Sequence, residues 1–165
     1  MRHKGGGNVT SAFLRLAFTA ASALAACLFL TRAAALGAEG GFVHPGDAAT
    51  FVDPRTGTEM KVLIDGKTVG TTKLSVAELT IPAGTSVPAH THKSIEVFYI
   101  ISGELEQTIR GESKRLTAGM SCLVPADTDT LHKVTSKEPV RTLVVWVPGG
   151  EEARIAVDWK PVGSR

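Results

Sequence analysis

Three histidines and one glutamate in this chain carry side chains that bind transition metals. His90 and His92 are two residues apart, Glu96 follows shortly after them, and His132 lies farther along the chain. Imidazole nitrogens with one carboxylate suit Fe, Mn, Zn, Ni or Cu, whereas Ca and Mg prefer oxygen ligands. On an octahedral ion, four protein ligands would leave two positions for water, oxygen or a substrate. The set predicts one divalent transition metal ion per chain, held at an open site.

Strands have to bring these residues together. Residues two apart on a strand point to the same face, so His90 and His92 would project together. A short link at 93–95 would let a hairpin place Glu96 beside both rings, and His132 would complete the set from a third strand. A His-x-His pair alone is also typical of polar surface pairs or of hydrogen-bonded core histidines, and spacing does not exclude that alternative.

Short strand-like runs fill most of the chain after residue 60. They are rich in β-branched and aromatic residues, and turn signals with Gly, Pro or Asp separate them. Evenly spaced short strands without an amphipathic helix among them predict an antiparallel sandwich or barrel. A mildly helical run follows at 151–157. The predicted strands are 61–64, 74–81, 96–101, 104–110, 121–124, 131–135 and 140–147.

Length and charge limit the class of protein further. A chain of 165 residues is long enough for one domain with a real core and too short for two of ordinary size. Residues 1–38 hold four Lys/Arg and no acids, so the remainder has 14 basic against 16 acidic residues. The basic character therefore belongs mostly to the N-terminal segment, and no basic cluster indicates a nucleic-acid partner.

The N-terminal segment 1–38 has the layout of a secretory signal. Basic residues precede an apolar stretch at 16–30, and small residues follow at 33–38. Three outcomes fit this layout: ordinary cleavage near 33–38, lipidation at Cys27 as in a lipoprotein, or an uncleaved membrane anchor. Each of them predicts an exported domain, periplasmic or extracellular, that meets the membrane only through this segment.

Two motifs add a family resemblance. The first reads Gly84, five residues, His90, one residue, His92, three residues, Glu96, six residues and Gly103. This spacing resembles the first motif of the cupin superfamily, with every fixed position filled.

The second motif begins at Gly119, continues after five residues with Pro125, and reaches His132. It resembles the second cupin motif with three departures. Asp127 stands where the family usually has Gly, and a turn tolerates this because Asp accepts unusual backbone angles. The loop from 125 to 132 is two residues longer than the common pattern, and Ser136 stands where Asn is often found.

The resemblance implies an all-β fold, a single antiparallel jelly-roll (cupin) barrel with a metal in its mouth. It implies that His90, His92, Glu96 and His132 are the metal ligands. It also implies a homodimer, because cupin barrels commonly pair through their sheets. The expected layout is a signal peptide or anchor at 1–38, an irregular lead-in at 39–60, the barrel at 61–150 and a tail at 151–165.

Function is less constrained, because cupins include enzymes, binding domains and storage proteins. The first hypothesis is a metal-dependent oxygenase or lyase that acts on a small organic substrate outside the cytoplasm. The alternatives are a non-catalytic binding or sensing module and a metal that only stabilises the fold. Tyr99 and Gln107 are candidate proton acceptors beside the metal, with Phe98, Ile100 and Trp146 as candidate pocket walls.

Overall fold

A computed structural model describes residues 41–163, which form eleven strands and one short helix. No helix among these residues is long and apolar enough to cross a bilayer. The predicted signal segment, with Cys27, lies outside the described residues. The elements are β1 (Thr50–Val52), β2 (Glu59–Ile64), β3 (Ser75–Ile81), β4 (Ser86–His90), β5 (Ile95–Ser102), β6 (Glu104–Ile109), β7 (Glu112–Thr117), β8 (Ser121–Val124), β9 (Thr130–Val134), β10 (Val140–Val147), α1 (Glu151–Ala156) and β11 (Lys160–Pro161).

The strands form two antiparallel sheets, as the jelly-roll prediction requires. The larger sheet has the order β11-β1-β2-β3-β10-β5-β8, and the smaller one has the order β4-β9-β6-β7. One core cluster contains residues of both sheets, for example Phe98 and Val144 from the larger sheet and Leu105 and Val134 from the smaller one. The sheets therefore pack face to face across a shared apolar interior.

Alternation along the central strands decides which side chains enter that interior. In β5 the even-numbered residues from Glu96 to Ile100 are buried, and Tyr99 points the other way. Across the sheet, Glu96 lies opposite Trp146 of β10 and Val124 of β8, both of which are fully buried. Because directly opposite residues share a face, Glu96 projects into the barrel.

Five elements depart, wholly or in part, from the sequence predictions. β1 and the first residues of β2 lie within the expected irregular lead-in at 39–60, and β11 of the expected tail pairs with β1. β4 and β7 were not predicted. β7 is an edge strand whose first four residues are exposed and mostly charged, so it lacks the hydrophobic alternation that reveals a strand. Its pairing with β6 depends on a tight turn at Arg110 and Gly111, both with positive φ.

One glycine of the first motif is required by close packing. Gly103 joins β5 to β6 with φ +82°, and a Cβ there would lie 2.8 Å from the carbonyl oxygen of Pro139. Gly111 has nearly the same φ, +81°, but a Cβ there would meet nothing within 4 Å. The two positions separate the cost of backbone conformation from the cost of a clash.

Gly103→Ala is expected to destabilise the protein by roughly 2–4 kcal/mol, because the left-handed conformation and the clash both oppose the methyl group. Gly111→Ala, the matched control, carries only the conformational cost of roughly 1 kcal/mol. Urea unfolding of the two variants and the parent measures the difference. Equal losses would contradict this account of the β5–β6 connection.

Candidate metal centre

The four predicted ligands come from three strands and one loop. His90 ends β4, His92 lies in the loop that follows, Glu96 is the second residue of β5 and His132 is in the middle of β9. Three of them are almost fully buried: His92 is 4%, Glu96 2% and His132 6% exposed. The longer loop before β9 does not turn His132 outward, because Thr130, His132 and Val134 share the buried face of that strand.

The side chains meet inside the barrel mouth. Nε2 of His90 lies 3.1 Å from Nε2 of His92, which lies 3.3 Å from Oε2 of Glu96. The ring of His132 packs edge-on against that of His90, with centroids 5.2 Å apart. Within residues 41–163, no three His, Cys, Asp or Glu side chains already form a complete metal-binding group. The donors meet in two pairs that share His92, and the ring of His132 contacts that of His90.

His90 and His92 converge by a different route from the predicted one. They do not project from one strand, because β4 ends at His90 and the chain then turns away. The backbone N–H of Asp127 donates to the carbonyl oxygen of His92 at 2.8 Å and fixes this loop. Asp127 has φ +53°, so the residue that replaces the usual glycine of the second motif adopts the unusual conformation expected of it.

Hydrogen bonds fix the protonation of both neighbouring rings. Nδ1 of His90 lies 2.7 Å from the carbonyl oxygen of Pro88, which can only accept, so this nitrogen carries the proton. Nδ1 of His92 lies 2.8 Å from Oε1 of Glu151, a carboxylate. In the neutral rings, both Nε2 atoms therefore carry lone pairs, and these face each other at 3.1 Å. A metal ion bound to both nitrogens, or a proton shared between them, would make that contact favourable.

Glu151 is a buried partner of the histidine loop that the sequence analysis missed. It begins α1, is 3% exposed and binds the histidine loop twice, through Nδ1 of His92 and through the backbone N–H of Lys93 at 3.2 Å. Arg154, one turn later, donates to Glu151 at 2.7 Å from Nε and to the carbonyl oxygen of Thr91 at 3.2 Å. The short helix therefore holds the loop that carries His92. Nothing in the local sequence at 151 indicates a partner 59 residues away.

The ionisation of these groups follows from their burial. Burial raises the pKa of Glu96 to about 8, although the Trp146 indole N–H donates to its Oε1 at 2.8 Å. Burial also lowers the pKa of His92, and the hydrogen bond to Glu151 only partly opposes it. The His92–Glu96 contact is thus between two neutral groups near pH 7, despite its ion-pair distance. Glu151 behaves oppositely: hydrogen bonds from Arg154 and His92 outweigh burial and lower its pKa.

His132 and Gln107 each carry a buried polar atom without a partner. The two residues lie directly opposite each other on β9 and β6. Gln107 Nε2 donates to the Thr130 hydroxyl at 2.5 Å, which leaves its Oε1 unpaired, and Nδ1 of His132 is unpaired as well. Burial, together with the two other histidines, lowers the pKa of His132 to about 3, so the ring is neutral.

The predicted proton acceptors and pocket walls differ in whether they face the interior of the barrel. Tyr99 points to the outer face of the larger sheet and is 48% exposed, so the structure does not bring it to the metal centre. Gln107 is buried beside His132 but does not line the cavity. Phe98 and Trp146 form cavity walls, whereas Ile100 lies in the core cluster and outside the cavity lining.

A cavity of about 460 Å³ leads from the four predicted ligands towards α1. Apolar side chains of the larger sheet, of β4 and of the C-terminal segment form its walls, and charged residues of the β1–β2 turn and of α1 form its rim. Its size lies within the range of pockets for small organic molecules. The predicted ligands are therefore accessible from a pocket rather than sealed in the core.

The family follows from this geometry and from comparison with known proteins. Residues 77–146 match the cupin domain. An RmlC-like cupin from Shewanella frigidimarina is 22% identical with a TM-score of 0.57, over 70% of this chain and 96% of that one. KdgF from Halomonas sp. is 18% identical with a TM-score of 0.57, over 69% and 98%. A predicted oxalate decarboxylase from Thermotoga maritima is 22% identical with a TM-score of 0.56, over 66% and 99%.

Residues 77–146 form a cupin domain, which confirms the resemblance seen in the two motifs. At these identities the likeness to the solved structures establishes the fold. No curated protein matches the sequence.

The residues fit a transition metal ion on three counts. Ligand atoms about 2.1 Å from one ion stand roughly 3.0–3.4 Å apart for octahedral to tetrahedral angles, and the two pairs measured here fall in that range. Oε2 of Glu96 is buried without a hydrogen-bond partner. The donor set of imidazole nitrogens and one carboxylate oxygen suits such ions.

The metal-free protein is expected to lose about 2 kcal/mol of stability between about pH 6.5 and pH 8. In this window folded Glu96 keeps its proton and unfolded Glu96 has lost it, so rising pH favours the unfolded state. The buried histidines act in the opposite sense, but only below about pH 6.5, where the unfolded chain takes up their protons.

Glu96→Gln should make stability nearly constant across that window, because glutamine does not titrate. Urea unfolding of metal-free parent and variant at several pH values provides the measurement. An equally steep fall in both proteins would show that another group is responsible.

Proposed function

We propose that this cupin binds one divalent transition metal ion through His90, His92, Glu96 and His132, and that it is an enzyme acting on a small organic substrate. The observation that carries the proposal is the approach of the Nε2 atoms of His90 and His92 to 3.1 Å, beside a buried oxygen of Glu96 that has no hydrogen-bond partner. The reaction class we propose is that of an oxygenase or a lyase.

A bound transition metal would supply Lewis acidity and, if redox-active, electron transfer to or from oxygen. Other side chains of the protein orient the predicted ligands for metal binding. Glu151 keeps the proton of His92 on Nδ1, so that Nε2 stays free. Trp146 holds Oε1 of Glu96, which leaves Oε2 to bind the metal once the carboxyl group has lost its proton. Apolar walls such as Phe98 exclude water from the space where a substrate would lie.

A second candidate function is a binding or sensing module without turnover. It is favoured by the positions of the candidate proton acceptors, because Tyr99 points outward and Gln107 does not line the cavity. Among the described residues, the other ionisable side chains of the lining are Asp53, Arg55, Arg154 and Asp158, and none of them hydrogen-bonds to a predicted ligand. A binding module needs no acid or base beside the metal.

Export and self-association belong to the proposal as well. The N-terminal signal layout supports a periplasmic or extracellular location, with lipidation at Cys27 as an alternative to cleavage.

A homodimer through the larger sheet is supported by a group of apolar side chains on its outer face. These exposed residues are Ile95, Tyr99, Ile101, Leu123 and Val147.

Metal affinity should depend on the ligands and on the helix that orients them. His132→Ala is expected to weaken Zn²⁺ or Mn²⁺ binding by more than about 100-fold, and Glu151→Ala by about 10–100-fold, through loss of the His92 hydrogen bond. Glu152→Ala is the matched control, because that buried carboxylate accepts from the backbone N–H of Gly150 and contacts no predicted ligand. Calorimetric titration of each variant gives the dissociation constants.

Equal losses in the Glu151 and Glu152 variants would contradict the orienting role of Glu151. Unchanged affinity in His132→Ala would remove that residue from the ligand set. Turnover is tested separately, with metal-loaded protein and a panel of carboxylates, phenols and flavonoids. Oxygen consumption or product formation supports an enzyme, whereas saturable binding with unchanged ligand supports the binding module.

A further inference from the structure

The cavity is apolar along most of its length. Between the predicted ligands and the rim, its walls come from the inner face of the larger sheet, from β4 and from the C-terminal segment. Side chains that form these walls include Met60, Leu79, Ile81, Val87, Ile155 and Trp159. Such walls stabilise a molecule by removing its apolar surface from water and offer no partner to a second charged group.

The positive charges at the rim are already neutralised within the chain. Arg55 donates to Asp53 through Nε at 3.0 Å and through Nη2 at 3.4 Å. Arg154 is bound to Glu151 and to the carbonyl oxygen of Thr91. Asp158, also on the rim, adds a further negative charge. Among the described residues that line the cavity, each arginine therefore already pairs with a carboxylate of the chain.

The volume indicates how large an apolar body fits. A dry cavity of about 150 Å³ accommodates benzene. The cavity here, about 460 Å³, has room for a ring with bulky substituents or for two fused rings. A dicarboxylate as small as oxalate would leave most of it unfilled and would bring a second charge against apolar walls.

We propose that the cavity takes an uncharged ring compound that presents one polar head to the metal, rather than a small dicarboxylate. The inference deepens the proposed function and rests on it for the polar head. Its specificity lies in the walls. Ile155 and Trp159, on the C-terminal segment, face the apolar body.

Two catechols that share one polar head test this directly. 4-tert-Butylcatechol and catechol differ only in apolar surface, and oxalate is a chelating head without a ring. We expect the tert-butyl compound to bind the Mn²⁺- or Zn²⁺-loaded protein at least tenfold more tightly than catechol, and oxalate to bind more weakly than either. Both tryptophans of the chain, Trp146 and Trp159, line the cavity, so tryptophan fluorescence reports binding there, and calorimetry confirms the constants.

Ile155→Asp places a charge on the cavity wall. It should reduce the ratio of the affinities for 4-tert-butylcatechol and catechol, the tert-butyl advantage, to less than threefold. Val157→Asp is the matched control in the same segment, because Val157 is 80% exposed and does not line the cavity. It should keep the full advantage. Melting temperatures of both variants establish that each is folded.

Equal affinities for the two catechols, or oxalate binding as tightly as 4-tert-butylcatechol, would overturn the inference. Repeating the titrations with 4-tert-butylphenol and phenol on metal-free protein separates it from the proposed function. If the protein fails to bind metal but still prefers 4-tert-butylphenol to phenol, the apolar cavity is supported and the proposed metal site is refuted. If it binds metal but has no preference for the tert-butyl compounds, the metal site is supported and the apolar cavity is refuted.

Discussion

The buried hydrogen bond between Nδ1 of His92 and Glu151 is the interaction on which the rest of the site depends. It joins the first turn of the C-terminal helix to the loop between β4 and β5, 59 residues earlier in the chain. It places the His92 proton on Nδ1, and thereby leaves Nε2 free to face His90 and Glu96. Arg154 keeps Glu151 ionised, so the acceptor remains a carboxylate.

Burial of the predicted ligands costs free energy unless hydrogen bonds or a bound cation compensate it. Glu96 and His132 are removed from water and favour their neutral forms, and each keeps a buried polar atom without a partner. A protein that only needed a stable core would be expected to place apolar side chains there. The rigid surroundings, in which Trp146 fixes Glu96 and the strand registers fix His132, are consistent with donors held in advance for a cation.

The sequence predicted the inner strands, and the proximity of His90, His92 and Glu96, better than the edges and the supporting contacts. Buried strands such as β3, β5 and β10 alternate clearly, and the spacing from Gly84 to Gly103 pointed to His90, His92 and Glu96. β7 was not predicted because a charged edge strand has no such alternation. The role of Glu151 was not predicted because His92, its partner, is distant in sequence, and only the fold brings the two residues together.

The central claim, that the rings of His90 and His92 present unprotonated Nε2 atoms to one point, can be measured without knowing the metal or the substrate. Long-range ¹H–¹⁵N correlation spectra of the metal-free protein near pH 7 identify the tautomer of each histidine. The account predicts a proton on Nδ1 and none on Nε2 in both rings, with Zn²⁺ shifting the Nε2 resonances. A proton on Nε2 of either ring would contradict it.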